Sequence, residues 1–294
     1  LTTDKPIFSK PYPLVGPGVD TCDNKLDTLL FNNEIHEIDS KYNVAIILTH
    51  HNSSQKHVEG FDKLCRLVLD LRIVNALMLH KNLHSYLVKK VDTITNETQG
   101  SNRFTASDIQ KAFRAVVASP RTQQICAFRV PSSKKYPHKT FAFRSACDGL
   151  ANMPGFYSYI VQEALSEKSR KCTIAHIDDL LIFSKNDLEH LDHIDSVLTD
   201  LGKANFMVSA KKFKPFQREI LFLGHMLDGK NKWIPEERKN YFDTIEPPQT
   251  KKQLQQLLGT ANYMSPFIDS FAMLVAPLYD AMKGKTDKQP LTLN

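Results

Sequence analysis

Asp178 and Asp179 stand side by side in the run Ile174-Ala175-His176-Ile177-Asp178-Asp179-Leu180-Leu181-Ile182-Phe183-Ser184, between two short apolar segments. Adjacent carboxylates repel one another unless cations are there to accept them. Short apolar runs read as buried strands, so the stretch is predicted as a β-hairpin with the acidic pair at its tip. Side chains alternate across a regular strand; a tight turn must therefore hold both acids if they are to act together. A divalent-metal site is one reading. An ordinary turn is the other, because aspartate favours turns by itself. The stretch alone does not separate them.

A third carboxylate, Asp108, ends the predicted strand Phe104-Thr105-Ala106-Ser107-Asp108-Ile109. Three carboxylates from two neighbouring strands could hold two Mg²⁺ ions, which prefer oxygen ligands and keep positions for water or phosphate. Two such ions about 4 Å apart can activate an attacking hydroxyl and stabilise the leaving oxygen of an in-line phosphoryl displacement. Many proteins own three aspartates, so spacing alone does not establish this. Arg66, Asp70 and Arg72 lie an even number of residues apart. A continuous strand would put them on one face, where they are either a functional stripe or a solvated one. His190 and His193 have HxxH spacing on the charged face of a predicted helix and read as solvent-exposed rather than as zinc ligands.

These residues sit in a chain of 294 residues with 41% hydrophobic and 24% charged side chains, the profile of a soluble globular protein. No apolar run approaches the roughly 20 residues of a membrane span, and no secretory leader is expected. The chain starts at Leu1 and its first methionine is Met78, so it is expected to be cut from something longer. A net charge of +6 is compatible with a polyanionic partner without demanding one. Cys22, Cys65, Cys126, Cys147 and Cys172 show no CxxC spacing and are expected as reduced thiols in an intracellular compartment.

In chain order, prolines 6, 11, 13 and 17 predict an extended, surface-hugging start. Apolar spacing from Leu26 to Ile38 predicts an amphipathic helix. Val44–Leu48 and Leu64–Asp70 read as a hairpin around the polar run His50–Glu59. Lys111–Val117 reads as a short helical turn or an irregular continuation, and Ile125–Val130 with Thr140–Arg144 as a further hairpin. The turn Cys147–Pro154 leads into a helix carrying Phe156, Tyr159, Ile160 and Ala164 inward. Asn186 with Glu189 forms a predicted capping box for a helix whose stripe is Leu188, Leu191, Ile194, Val197, Leu198 and Leu201. Ile220–Leu227 is hairpin-like around Gly224. Pro247-Pro248 marks a boundary, Thr250 caps a helix to Tyr263, and a last helix covers about Met273–Met282. Mixed strands and helices followed by helices predict an α+β domain with a helical appendage.

The order of motifs resembles the reverse transcriptase domain of gypsy-type LTR retrotransposons and their retroviral relatives, over nearly the whole chain. Arg66-Leu-Val-Leu-Asp70-Leu-Arg72-Ile-Val-Asn75 is similar to the family's R-x-x-x-D-x-R-x-x-N, and Phe104-Thr-Ala-Ser-Asp108-Ile-Gln-Lys-Ala112-Phe113 to the strand bearing its first catalytic acid. Gly149-Leu-Ala-Asn152-Met-Pro154 matches G-x-x-N-x-P, His176-Ile-Asp178-Asp179 its aromatic-x-D-D box, and Phe222-Leu223-Gly224-His225 its F-L-G. Gln256-Leu-Leu-Gly259-Thr-Ala-Asn262-Tyr263 resembles the L-G-x-x-N-Y thumb helix. Each match is weak alone; six in order at compatible spacing carry the resemblance.

The resemblance implies a right-hand polymerase: fingers in 1–79 and 116–152, palm in 80–115 and 153–229, thumb in 230–294. It implies metal ligation by Asp108, Asp178 and Asp179, the last the least direct, with two Mg²⁺ (or Mn²⁺) and dNTP as substrate. Arg66 would grip the triphosphate, where a planar charged fork suits phosphate. Phe113 would be the steric gate against a 2′-OH, and Ala112 and Asp148 would border the nucleotide pocket. Asp70, Arg72, Asn75 and Gly149 would position template. Lys212 would protonate the leaving pyrophosphate, although as one lysine in a basic stretch it also reads as solvated. His176 and the Phe222-Leu223-Gly224 turn would meet the primer end, and Gln255, Gly259 and Tyr263 the duplex minor groove. Implied partners are RNA/DNA and DNA/DNA primer-template, an RNase H domain C-terminal in the parent polyprotein, and a second copy of the chain; the setting is a cytoplasmic virus-like particle, with no membrane partner. No RNase H activity is expected of the chain itself.

The sequence departs from the family pattern at two places. His176 stands where Tyr or Phe is usual, and Cys147-Asp148 precede Gly149 where Pro and Gln or an aromatic are usual. A carboxylate at Asp148 would repel a triphosphate unless turned away or shielded. A catalytically silent subunit that binds duplex and scaffolds a partner is the alternative, and the complete acid triad argues against it. An RNA-directed RNA polymerase should not carry a ring at Phe113.

Overall fold

The computed structural model describes residues 5–50, 65–78, 91–110, 112–284 and 286. Its strands are β1 Ile35–Glu37, β2 Ala45–His50, β3 Cys65–Asp70, β4 Arg103–Asp108, β5 Phe128–Arg129, β6 Thr140–Phe143, β7 Thr173–His176, β8 Asp179–Ser184, β9 Lys214–Gln217, β10 Ile220–Phe222, β11 His225–Leu227 and β12 Lys232–Trp233. They form antiparallel sheets in the orders β7-β8-β4-β9, β1-β6-β5, β10-β11-β12 and β2-β3.

The four-stranded sheet positions the acids. Its strand β8 is buried from Leu180 through Ser184 because both faces are covered. Leu180 and Ile182 meet Tyr157 and Val161 of the helix Met153–Ala164, and Val197 and Leu201 of the helix Asp187–Lys203. Leu181 and Phe183, on the other face, meet Phe104, Ile94, Ile220 and Phe222. Burial on both sides explains why the run after Asp179 is continuously apolar instead of alternating. Truncating Leu181, fully buried, to alanine should cost about 2–5 kcal/mol.

A second core packs β1, β6 and β5 and the β2-β3 pair around the helix Pro17–Phe31, through Leu26, Ile35, Val44, Phe128 and Phe141. A third joins the helices Lys251–Met264 and Phe271–Met282 through Leu254, Leu258 and Val275. Among the described residues no helix is long and apolar enough to cross a membrane. All five cysteines are free and buried.

Local signals held where caps and turns are strong. The Thr250 hydroxyl accepts the Gln253 N–H at 3.3 Å while the Gln253 side chain accepts the Thr250 N–H at 3.0 Å, a complete capping box. Asn186 caps its helix as expected, accepting from Glu189 N at 2.9 Å, but the Glu189 carboxylate reaches Lys185 N instead of closing the box. The β2-β3 hairpin matches expectation; its tip lies outside the described residues.

Five expectations are corrected. The first helix runs Pro17–Phe31, not Leu26–Ile38: Pro17 suits a first helical turn, and Ile35–Glu37 is drawn into pairing with β6. Strand β3 ends at Asp70 and Arg72 opens a short helix, Arg72–Ala76, so Arg66, Asp70 and Arg72 do not share a strand face. The helix Met153–Ala164 buries Met153, Tyr157 and Val161, while Tyr159 is exposed and Phe156, Ile160 and Ala164 are partly buried at the flanks. In Asp187–Lys203 the buried row is His190, Ile194, Val197 and Leu201, and Leu188 and Leu191 face outward. His190, expected in solvent, is fully buried, because its ring is bonded on both sides: Nε2 lies 2.8 Å from Thr105 Oγ1 and Nδ1 2.8 Å from Ser184 Oγ.

Candidate active site

The acidic stretch is a hairpin with a two-residue turn. His176 pairs with Asp179, leaving Ile177 and Asp178 at the tip. Ile177 has φ 56°, the first-position geometry of a type II′ turn that glycine usually fills. Left-handed backbone costs a non-glycine residue about 1–2 kcal/mol, so strain is held at this turn. The neighbouring strand fastens it: Ile109 N donates to Asp178 O at 2.7 Å, and Asp108 is the direct partner of Asp179 in the β4-β8 ladder. Three carboxylates separated by 70 residues of sequence thus meet at one end of one sheet.

Their electrostatics record the crowding. Burial, then the charges of Asp178 and Asp108, push the Asp179 carboxyl up from its ordinary value. Lys212 Nζ lies 3.1 Å from Asp108 Oδ1, and that hydrogen bond raises the lysine. Asp108 O also accepts Ser209 N at 2.8 Å, which draws the Lys212 connector alongside. Among the described residues no three His, Cys, Asp or Glu side chains are gathered closely enough to ligate one ion. Asp108 and Asp178 border the adjacent cleft, and Asp179 is not among its lining residues. Hard carboxylate oxygens on a water-filled cleft, with mutual repulsion to be relieved, fit Mg²⁺ or Mn²⁺; Asp108 and Asp178 would hold it, and Asp179 would act from behind.

That cleft measures about 790 Å³ and is lined by Arg66, Asp108, Arg114, Asp148 and Asp178 among others. Arg66 extends from β3, opposite Thr49. Asp148 is exposed on the far wall and does face the cleft. Ala112 and Phe113 begin a 3-10 turn, Ala112–Ala115, beside this opening; their side chains, including the expected gate, lie outside the described residues.

Residues 55–227 match the family model described as reverse transcriptase (RNA-dependent DNA polymerase), more than half of the chain. The chain belongs to the reverse transcriptase family. It is 27% identical over 285 residues to the retrovirus-related Pol polyprotein from transposon gypsy of Drosophila melanogaster, covering 96% of this chain and 26% of that polyprotein. To the Pol polyprotein from transposon opus of the same fly it is 23% identical over 300 residues, covering 99% and 29%. The chain therefore spans little more than a quarter of these relatives, and it is a reverse transcriptase domain of gypsy-type Pol. The foamy viral protease-reverse transcriptase solved with dsDNA superposes with a TM-score of 0.79 at 21% identity, over 100% of this chain and 57% of that one. The same enzyme solved with an RNA/DNA hybrid gives 0.78 at 21%, over 100% and 37%. These likenesses show the fold: an α+β right-hand polymerase with an antiparallel palm sheet and a mostly helical thumb.

Around the reverse transcriptase cleft, several expected contact residues brace the backbone. Arg72 grips Asp70 through Nε (2.8 Å) and Nη2 (2.7 Å), and the Tyr12 hydroxyl donates to the same carboxylate at 2.9 Å. Asn75 Nδ2 donates to Gly149 O at 2.8 Å and its Oδ1 accepts Ala151 N at 2.9 Å, clamping the turn in which Gly149 has φ 97°. His176 is half-buried at the hairpin end. The Phe222 side chain is buried in the core beneath the four-stranded sheet, while Leu223 and Gly224 at the turn are half-buried.

Leu223 and Gly224 both have positive φ. A Cβ at Gly224 would sit 2.4 Å from Tyr263 Oη and 2.8 Å from Arg238 Nη1. Tyr263 itself donates to Leu223 O at 2.6 Å and lies 3.0 Å from His225 Nδ1. It thus docks the thumb helix on the palm, while Gln255 and Gly259 face a separate cleft of about 820 Å³. Sequence reasoning missed Tyr12, Arg114 and Tyr157. Tyr157 is buried, and its hydroxyl is pushed up by burial and then by Asp178 and Asp108. A basic residue directly after Phe113 was the only available sign of Arg114.

Proposed function

We propose that this domain is an RNA- and DNA-templated DNA polymerase, joining dNTPs to a primer 3′-OH. The observation that carries the reading is the register of Asp108 against Asp179, with Asp178 stitched to Ile109, on a cleft that also contains Arg66. Bound divalent ions would supply Lewis-acid activation of the hydroxyl and charge neutralisation at the phosphates. Asp108 and Asp178 hold that charge at the cleft floor; Asp179 adds negative field from behind. Arg66 holds the triphosphate. Lys212, already bonded to Asp108, stands where a proton can be delivered to departing pyrophosphate. Phe113 excludes a 2′-OH. The Asn75 clamp sets the Gly149 turn against template, and the Leu223-Gly224 turn supports the primer, with Gln255 and Gly259 along the duplex.

In this reading fingers, palm and thumb take the boundaries 1–79 with 116–152, 80–115 with 153–229, and 230–294. An RNase H domain following in the parent polyprotein, a homodimer and a cytoplasmic virus-like particle belong to the same proposal.

The test is extension of an oligo(dT) primer on an RNA template with Mg²⁺ or Mn²⁺. Extension by wild type, with ribonucleotides admitted by Phe113→Val, is the expected result. No extension with either metal would replace the polymerase reading with that of a duplex-binding subunit.

A further inference from the structure

Arg114 lies on the same cleft as Arg66, Asp108 and Asp178, and no role has been given to it above. Its position is held from two sides. Glu34, in the connection between the first helix and β1, forms an ion pair with its Nη1. The guanidinium carbon stands 5.3 Å from the centre of the Phe143 ring, a favourable cation–π placement. A planar cation so fixed is presented rather than free to swing.

Asp148 borders the same cleft, and Arg114 and Asp148 also share a small second hollow beside Phe143 and Cys147. The two charges act in opposite directions on one thiol. The Cys147 thiol is pushed well up, first by its hydrogen bond to Cys126 and by burial; Asp148 pushes it further while Arg114 pulls it back. A carboxylate on this wall would otherwise repel a polyphosphate, and a cation lining the same hollow offsets part of that field.

We propose that Arg114 is a positioning residue for the incoming nucleotide: fixed by Glu34 and Phe143, it offsets Asp148 and keeps the far wall of the cleft open to a triphosphate. The proposal rests on the polymerase reading and gives this chain its own answer to the acid that replaces the usual Gln or aromatic. It also sets a specificity rule. Arg114 and Asp148 bear on the same wall with opposite sign, so removing either charge alone changes nucleotide affinity in opposite directions.

Single-nucleotide incorporation by the whole domain tests this. Arg114→Gln should raise the dNTP KM about tenfold, the scale of one lost charge-assisted contact, with kcat within about threefold. Asp148→Asn should lower KM, and Arg114→Gln/Asp148→Asn should return KM to within about threefold of wild type, as a compensating pair requires. Arg114→Lys should recover most of the loss. An unchanged KM in Arg114→Gln, or a double variant as impaired as the single, overturns the proposal. If Arg114→Gln melts because Glu34 is left uncompensated, Glu34→Gln/Arg114→Gln removes that charge and carries the same KM expectation. If wild type incorporates nothing, the polymerase reading fails separately. Equilibrium binding of dTTP on a dideoxy-terminated primer-template then decides: weaker binding by Arg114→Gln supports the charge balance, and equal binding, or none by wild type, overturns it.

Discussion

Asp70 closes β3 and Asp179 opens β8, and their carboxyls are pushed in opposite directions. The Arg72 fork, with help from the Tyr12 hydroxyl, holds Asp70 far below the usual carboxylate range. Burial and two like charges push Asp179 up. The first acid has its counter-charge two residues away; the second has two more acids beside it, whose push outweighs the opposing pull of His176 and of Lys212, itself bonded to Asp108. One region is neutralised and braces the fingers. The other keeps unrelieved repulsion on a strained turn, which costs stability and is useful only where a cationic partner arrives. His190 belongs with the first kind: a buried polar group whose bonds to Thr105 and Ser184 are both made inside the protein.

The largest break in this contrast should come from Asp178→Asn. Primer extension should fall by about a thousandfold, the scale of losing a preorganised electrostatic group, while duplex binding stays largely intact and Tm holds or rises because a repulsion is removed. A fall in Tm would mean the hairpin acids are structural after all. Acid pH should expose the first kind of site, at His190. Burial lowers the His190 pKa, with His193 and Arg103 adding to it and Asp187 opposing. Its folded value therefore lies below the unfolded one near 6.5, and stability is lost as pH falls from there, by at most about 1.4 kcal/mol per pH unit. Melting curves from pH 7.5 to 5 should show this slope, and His190→Gln should flatten it.

A smaller effect is expected at the palm–thumb contact. Tyr263→Phe removes the bond to Leu223 O and should cost about 1 kcal/mol in chemical denaturation; Gly224→Ala, which adds backbone strain and a clash, should cost more than Tyr263→Phe. The smallest change belongs to Asp70→Asn. Its partner Arg72 is largely exposed, so water screens the pair and Tm should drop only slightly. Because the folded pKa of Asp70 is depressed, that difference should be full above about pH 4 and shrink progressively as pH falls below it toward the folded value. A difference that does not shrink between about pH 5 and pH 2 would remove the ion pair as its cause.

Much of this was legible in the residues. The acidic hairpin, the Thr250 cap and the Ile220–Leu227 hairpin rest on interactions only a few positions apart, and short-range chemistry is written in adjacent residues; the strand ending in Asp108 and the β2-β3 pair were legible from their apolar runs although their partners lie further off. The first helix was misplaced because Ile35–Glu37 answers to β6, more than a hundred residues away. His190 was misjudged because what satisfies an imidazole, here Thr105 and Ser184, arrives from other strands. Strand β9 carries little apolar signal since all its residues are exposed; it is held by pairing with β4.

By itself the sequence determined the kind of chemistry: three carboxylates, an arginine suited to phosphate and the order of motifs that place the chain among reverse transcriptases. Tertiary structure decided which charges are answered. Register put Asp108 beside Asp179, and a backbone bond from Ile109 set the strained Ile177-Asp178 turn against it. Folding also brought Glu34, Arg114 and Asp148 to one wall. Coulomb interactions depend on distance and burial, and both are properties of the folded chain, not of residue order.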